Sequence, residues 1–124
     1  MPKMDNSAPQ RFEIPGVTFS PVASPRRGSS ETAVWRAQVA PDSPGLVHHM
    51  TREEIIVATA GEGRVQVGGV AHLLRPGDAF AVPAFTDFAL ECAGSEPFEA
   101  LVVLPAGGRA VIGADPSFPP PWSL

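Results

Sequence analysis

Along much of the chain apolar and polar residues alternate with a period of two. The stretch "ETAVWRAQVA" (31–40) puts Ala33, Trp35, Ala37 and Val39 on one side and Arg36 and Gln38 on the other. That is the pattern of a half-buried strand. The central run "EEIIVATAGEGRVQVGGVAHLLRPGDAFAVP" predicts short strands broken at Gly61–Gly63, Gly68–Gly69 and Pro76–Gly77–Asp78. "GG" between "RVQV" and "VAHLL" is a two-residue hairpin signal, because glycine accepts the positive φ such turns require. "DFALECA" and "FEALVVLPA" predict two more strands joined by "GSEP", and "RFEIPGVTFSPVA" predicts a first extended piece. "SPRRGSSE" reads as a loop and "PDSPG" as a turn. No segment shows a helical period of useful length. The expectation is an all-β protein of about eight or more short antiparallel strands in a barrel or sandwich, without internal repeats.

Composition sharpens this picture. Twelve Gly and 15 Pro in 124 residues recur between the apolar runs, which is the punctuation of turns. The length suits one domain with one core, expected over 11–112. Residues 1–10, "MPKMDNSAPQ", are polar, lack the apolar centre of a signal peptide and are expected to be disordered. Residues 113–124 end in the proline-rich "DPSFPPPWSL" and are expected to lie extended on a surface. Trp122 is then available to cover apolar surface on its own barrel or on a partner. No apolar run is long enough to span a membrane. The single cysteine, Cys92, cannot form an internal disulfide, and a cytoplasmic location is expected. A formal net charge of -4 and scattered basic residues argue against a nucleic-acid partner.

The candidate chemistry sits in "HHMTREE", His48 to Glu54. Imidazole and carboxylate are transition-metal ligands. The surrounding residues resemble the cupin superfamily. Its first motif runs G-x5-H-x-H-x3/4-E-x6-G, and Glu54 and Gly61 match the E-x6-G half. Its second runs G-x5-P-x-G-x2-H-x3-N, and Gly77 and Pro83 match the G-x5-P half within "PGDAFAVPA". The resemblance covers roughly residues 30–105. It implies a cupin double-stranded β-helix, a jelly-roll barrel of antiparallel strands with a pocket inside, and commonly a homodimer.

The family's metal ligands are two histidines, the glutamate and a third histidine. Here the resemblance breaks. With a three-residue spacer before Glu54 the histidine positions hold His48 and Met50; with a four-residue spacer they hold Val47 and His49. In the second motif the glycine, histidine and asparagine positions hold Phe85, Phe88 and Cys92. A phenyl ring donates nothing to a metal, and a thioether suits Cu(I) better than hard divalent ions. No cofactor is therefore expected. A divalent metal, if bound, would rest on His48 and Glu54. His49, pointing to the other face of a strand, would join only through a bulge.

In the family register the barrel interior should hold Trp35, His48, Met50, Glu54, Ile56, Phe85, Phe88, Leu90 and Cys92. That is an apolar pocket with one carboxylate and one imidazole, a common form of ligand site. Burial should raise the pKa of Glu54, which makes Glu54 and His48 candidates for acid–base catalysis. The plainer alternative places Glu54 at the mouth, hydrated or paired with Arg52 or Arg64. His49 reads as a surface or dimer-face residue, His72 as a sheet-surface residue and Asp78 as a turn former. Cys92 reads as a small hydrophobe. Three functions follow: a small-molecule-binding cupin without tight metal, a metal-dependent oxygenase or isomerase, or an interaction module with a collapsed pocket.

Overall fold

The computed structural model describes all residues, 1–124. Eleven strands form: β1 (Phe12–Ile14), β2 (Val17–Ala23), β3 (Thr32–Val39), β4 (His49–Met50), β5 (Glu54–Ala60), β6 (Gly63–Val67), β7 (Val70–Leu74), β8 (Ala79–Val82), β9 (Ala89–Cys92), β10 (Phe98–Pro105) and β11 (Ala110–Val111). The only helical pieces are 3-10 turns at Pro25–Arg27 and Pro121–Ser123. No helix is long and apolar enough to cross a membrane.

One wall is a six-stranded sheet in the order β1-β2-β3-β10-β5-β8. Facing it are a three-stranded sheet, β7-β6-β9, and the short pair β11-β4. All pairings are antiparallel. This is a double-stranded β-helix.

The alternation along β3 works as the sequence implies. Ala33, Trp35, Ala37 and Val39 are buried, and Arg36 and Gln38 are exposed. Its neighbour β10 turns Phe98, Ala100, Val102 and Leu104 inward, and β5 turns Glu54, Ile56 and Ala58 inward. Register brings Trp35, Val102 and Ile56 side by side across the sheet. Four of these inward residues are alanine.

Two glycine sites shape the second sheet. Gly68 and Gly69 have φ of 56° and 79° and close the β6–β7 hairpin as a type I′ turn needs. Gly63 passes the Phe98 ring so closely that an added Cβ would stand 2.5 Å from it. Pro21 is tolerated in β2 because β1 pairs only with Val17–Phe19 and the register with β3 shifts between Pro21 and Ala23, where a missing N–H costs little.

Several expectations need correction. The first extended piece is two strands: the chain turns at Pro15–Gly16 and pairs β1 with β2. "SPRRGSSE" contains a 3-10 turn. Residues 1–10 form no helix or strand, yet the Asn6 amide donates to Val22 O at 3.2 Å. The C-terminal tail is neither fully extended nor simply superficial. Phe118 bridges to Ala110, the last residues form a 3-10 turn, and Pro120 and Ser123 are buried. Arg26 N donates to Leu124 O at 3.1 Å, which fastens the end of the tail to the Pro25–Arg27 turn. His72 is not on the outer surface. It stands opposite buried Val65, half-buried, with its ring 4.8 Å from that of Phe80.

Candidate functional site

The barrel encloses a cavity of about 670 Å³ lined by 22 residues, 15 of them hydrophobic. That volume is within the range of small-molecule sites. The interior is not collapsed. Ile14 and Leu46 line the cavity and are 37% and 46% exposed, so the space reaches solvent beside them. A second depression of about 340 Å³ lies against outward residues of β2, β3 and β10. It mixes Arg11 and Arg36 with Glu13 and Glu99 and has little apolar wall, so the interior is the stronger candidate.

The walls come from specific elements. β3 supplies Trp35, Ala37 and Val39, β10 supplies Val102, and Phe88 and Leu90 come from the opposite face. The C-terminal segment closes one side with Phe118, Pro120, Pro121 and Trp122. The Trp122 ring stacks on Phe19 at 3.8 Å and 5°, and meets Trp35 edge-on at 6.4 Å. Its indole N–H is buried without an acceptor, so this strap closes with one hydrogen bond unmade.

Two polar side chains enter the cavity. Glu54, the first residue of β5, is 6% exposed and takes part in no side-chain hydrogen bond or ion pair. It pairs with neither Arg52 nor Arg64; Arg64 Nε is 3.3 Å from Glu91 instead. Burial raises the Glu54 pKa to about 8, because an ionised carboxylate loses its hydration there and gains nothing in return. His48 lies beside Phe88, with ring centroids 4.4 Å apart. Its Nδ1 is 2.8 Å from Leu46 O. A carbonyl only accepts, so Nδ1 carries the proton and Nε2 keeps a free lone pair. Burial holds the His48 pKa below the usual histidine value, outweighing the Leu46 hydrogen bond.

Of the residues expected in the pocket, Trp35, His48, Met50, Glu54, Phe88 and Leu90 line it. Three do not, and each has a physical reason. Phe85 occupies the glycine position of the second motif and keeps a left-handed backbone, φ 60°, the only non-glycine residue that does. That backbone turns its side chain outward, and it is 69% exposed. Cys92 is buried but packs beneath its own turn, with Sγ 3.0 Å from Glu96 O. Ile56 is fully buried between neighbouring side chains in the core and has no face on the cavity. The tail wall was not assigned to the pocket from the sequence, nor were Ala37 and Val39. The β3 alternation carried the second signal; only the isolated aromatics Phe118 and Trp122 hinted at the first.

The donor set does not fit a hard divalent ion. His48 and Glu54 offer one nitrogen and one carboxylate. Met50 offers a thioether, and the Phe88 ring stands where a third nitrogen would be needed. His49 is no substitute, because it does not line the cavity; its Nδ1 pairs with Asp87 Oδ1 at 3.0 Å. No group of three His, Cys, Asp or Glu side chains converges anywhere, whereas zinc sites use three or four protein ligands.

The family model Cupin_2, a cupin domain, matches residues 35–104. No curated protein matches the chain in sequence. Among solved structures, the polyketide cyclase RemF from Streptomyces resistomycificus is 17% identical with a TM-score of 0.75, covering 87% of this chain and 81% of its own. A cupin-superfamily sugar phosphate isomerase from Silicibacter pomeroyi is 21% identical with a TM-score of 0.74, covering 92% and 83%. Bacillus subtilis oxalate decarboxylase, described with Mn(II) centres, is 21% identical with a TM-score of 0.71, and the match covers 83% of this chain but 29% of the decarboxylase. Likeness at these identities shows a shared fold. Matched by the family model over more than half its length and folded as these structures are, the chain belongs to the cupin family.

Proposed function

We propose that this protein is a small-molecule-binding cupin that holds an apolar ligand inside its barrel. The carrying observation is the cavity: about 670 Å³, walled mainly by hydrophobic side chains, with Glu54 and His48 as its only titratable groups. Apolar walls give a ligand the affinity of buried area, and a few polar groups orient it. The test is titration with the neutral fluorophore N-phenyl-1-naphthylamine. Saturable binding is expected at one site per chain. Leu90→Trp, which fills the cavity from β9, should weaken it at least tenfold with the fold intact by circular dichroism. Absence of saturable binding, or equal binding by Leu90→Trp, would count against the proposal.

A second reading is catalysis by proton transfer. What favours it is a carboxylic acid with a pKa near 8 in the same cavity as a neutral imidazole with a free Nε2. Such groups can donate and accept protons near neutral pH. Deuterium uptake at the acidic C–H of a bound ketone measures it. The rate should exceed the solution rate and collapse in Glu54→Gln; a rate no faster than solution removes the enzyme reading and leaves the binding one.

A further inference from the structure

We propose that the cavity selects an uncharged, flat aromatic molecule bearing a hydrogen-bond acceptor such as a carbonyl, and rejects anions of the same size. This rests on the cavity being the binding site and specifies what it binds.

The first support is charge. No lysine or arginine lines the cavity. The arginines that could have turned inward are engaged elsewhere: Arg64 with Glu91, and Arg109 with the Ser117 hydroxyl and carbonyl at 2.9 and 2.8 Å. Arg36 points outward from β3. An anion entering the barrel would give up its hydration with no countercharge to replace it.

The second support is hydrogen bonding. The Glu54 carboxyl faces the cavity and no protein group bonds to it. β3, β10 and the tail bring no titratable side chain into the lining, and His48 is the one other titratable group there. His48 cannot neutralise Glu54 as a cation while burial keeps it uncharged. Glu54 is itself protonated at neutral pH, so it presents an O–H with no acceptor from the protein. A ligand carbonyl would satisfy it. His48 Nε2 is then free to accept from a hydroxyl on the same ligand.

The third support is shape. Phe19 and Trp122 stack in parallel, Trp35 stands edge-on to Trp122, and the Phe88 ring lies against His48. Aromatic walls favour flat partners through stacking and edge contacts.

Three naphthalene congeners of equal size separate these terms: 2-acetylnaphthalene, 2-naphthoate and 2-ethylnaphthalene, each titrated at pH 7 with tryptophan fluorescence as the signal. The ketone should bind about five- to tenfold tighter than the ethyl compound, the worth of one hydrogen bond. It should bind at least about tenfold tighter than the carboxylate. Glu54→Leu should erase the ketone's advantage over the ethyl compound, while Glu54→Gln, which keeps a donor and the side-chain shape, should retain most of it. Naphthoate binding as tightly as the ketone would overturn the proposal, as would a ketone no tighter than the ethyl compound. If N-phenyl-1-naphthylamine binds while the three congeners are equivalent, the pocket stands and this selectivity falls. If neither the dye nor any congener binds, both fall.

Discussion

Glu54 and His48 pull stability in opposite directions with pH. The folded pKa of Glu54 is raised from 4.5 to about 8, so between those values the folded state holds a proton the unfolded state has lost. Stability contributed by Glu54 therefore falls as pH rises through that window, by at most about 1.4 kcal/mol per pH unit. The pKa of His48 is lowered from 6.5, so its contribution is present above 6.5 and lost as pH falls. Urea denaturation of the wild-type protein should show stability declining from pH 6.5 to 8 and a flatter profile below 6.5, where the two effects oppose. Glu54→Gln should be the more stable protein at pH 8, and its profile above pH 6.5 should be flat. A variant less stable than wild type at pH 8 would contradict the burial of an unpaired carboxyl. Phe85 is a second residue-scale case. A phenylalanine held at φ 60° costs about 1 kcal/mol of backbone strain, and its exposed ring returns little. Phe85→Asn, which suits that conformation, should raise stability by about 0.5–1 kcal/mol in the same assay; a loss would show that the His49 contact, 6.0 Å between centroids, matters more. The inward set His48, Met50 and Glu54 was legible because it follows strand alternation in the family register. Phe85 was misplaced because its place in the family motif was read as a place in the pocket, whereas its left-handed backbone turns the ring outward.

At the scale of elements, the long strands were legible and the short ones were not. β5 to β8 are bounded by glycine and proline turns that announce themselves. β4 and β11 are two residues each, too short for any periodicity, and their pairing is fixed by the closing of the barrel. The hairpin partner of β2 was hidden because Pro15–Gly16 lay within one apparent run. Gly63 predicts a packing cost: Gly63→Ala should destabilise by about 1–3 kcal/mol through overpacking against the buried Phe98 ring, read from the urea midpoint. The strap makes a sharper prediction. Trp122→Ala removes the stack on Phe19 and a cavity wall, and should cost about 2 kcal/mol, less than a fully buried tryptophan because Trp122 is half-buried and its N–H is unsatisfied. Trp122→Phe keeps a ring without the orphaned donor and should stay within about 1 kcal/mol of wild type. Equal losses in the two variants would mean that the indole nitrogen, rather than the ring, holds the strap.

At the scale of the molecule, the barrel could be read from the sequence while its contents could be read only in part. The jelly roll follows from alternation, turns and the two half-motifs around Glu54 and Pro83. The cavity depends on how side chains from separate strands meet across the barrel and on a tail whose docking no local pattern encodes. What the interior can bind then follows from the charge it lacks. The central claim is that this interior is an uncharged, apolar chamber with Glu54 protonated inside it. The direct measurement is the titration of the Glu54 carboxyl carbon by 13C NMR, assigned by its absence in Glu54→Gln. A midpoint near 8 is predicted; a midpoint near 4.5, the value of a hydrated or cation-paired glutamate, would contradict the account.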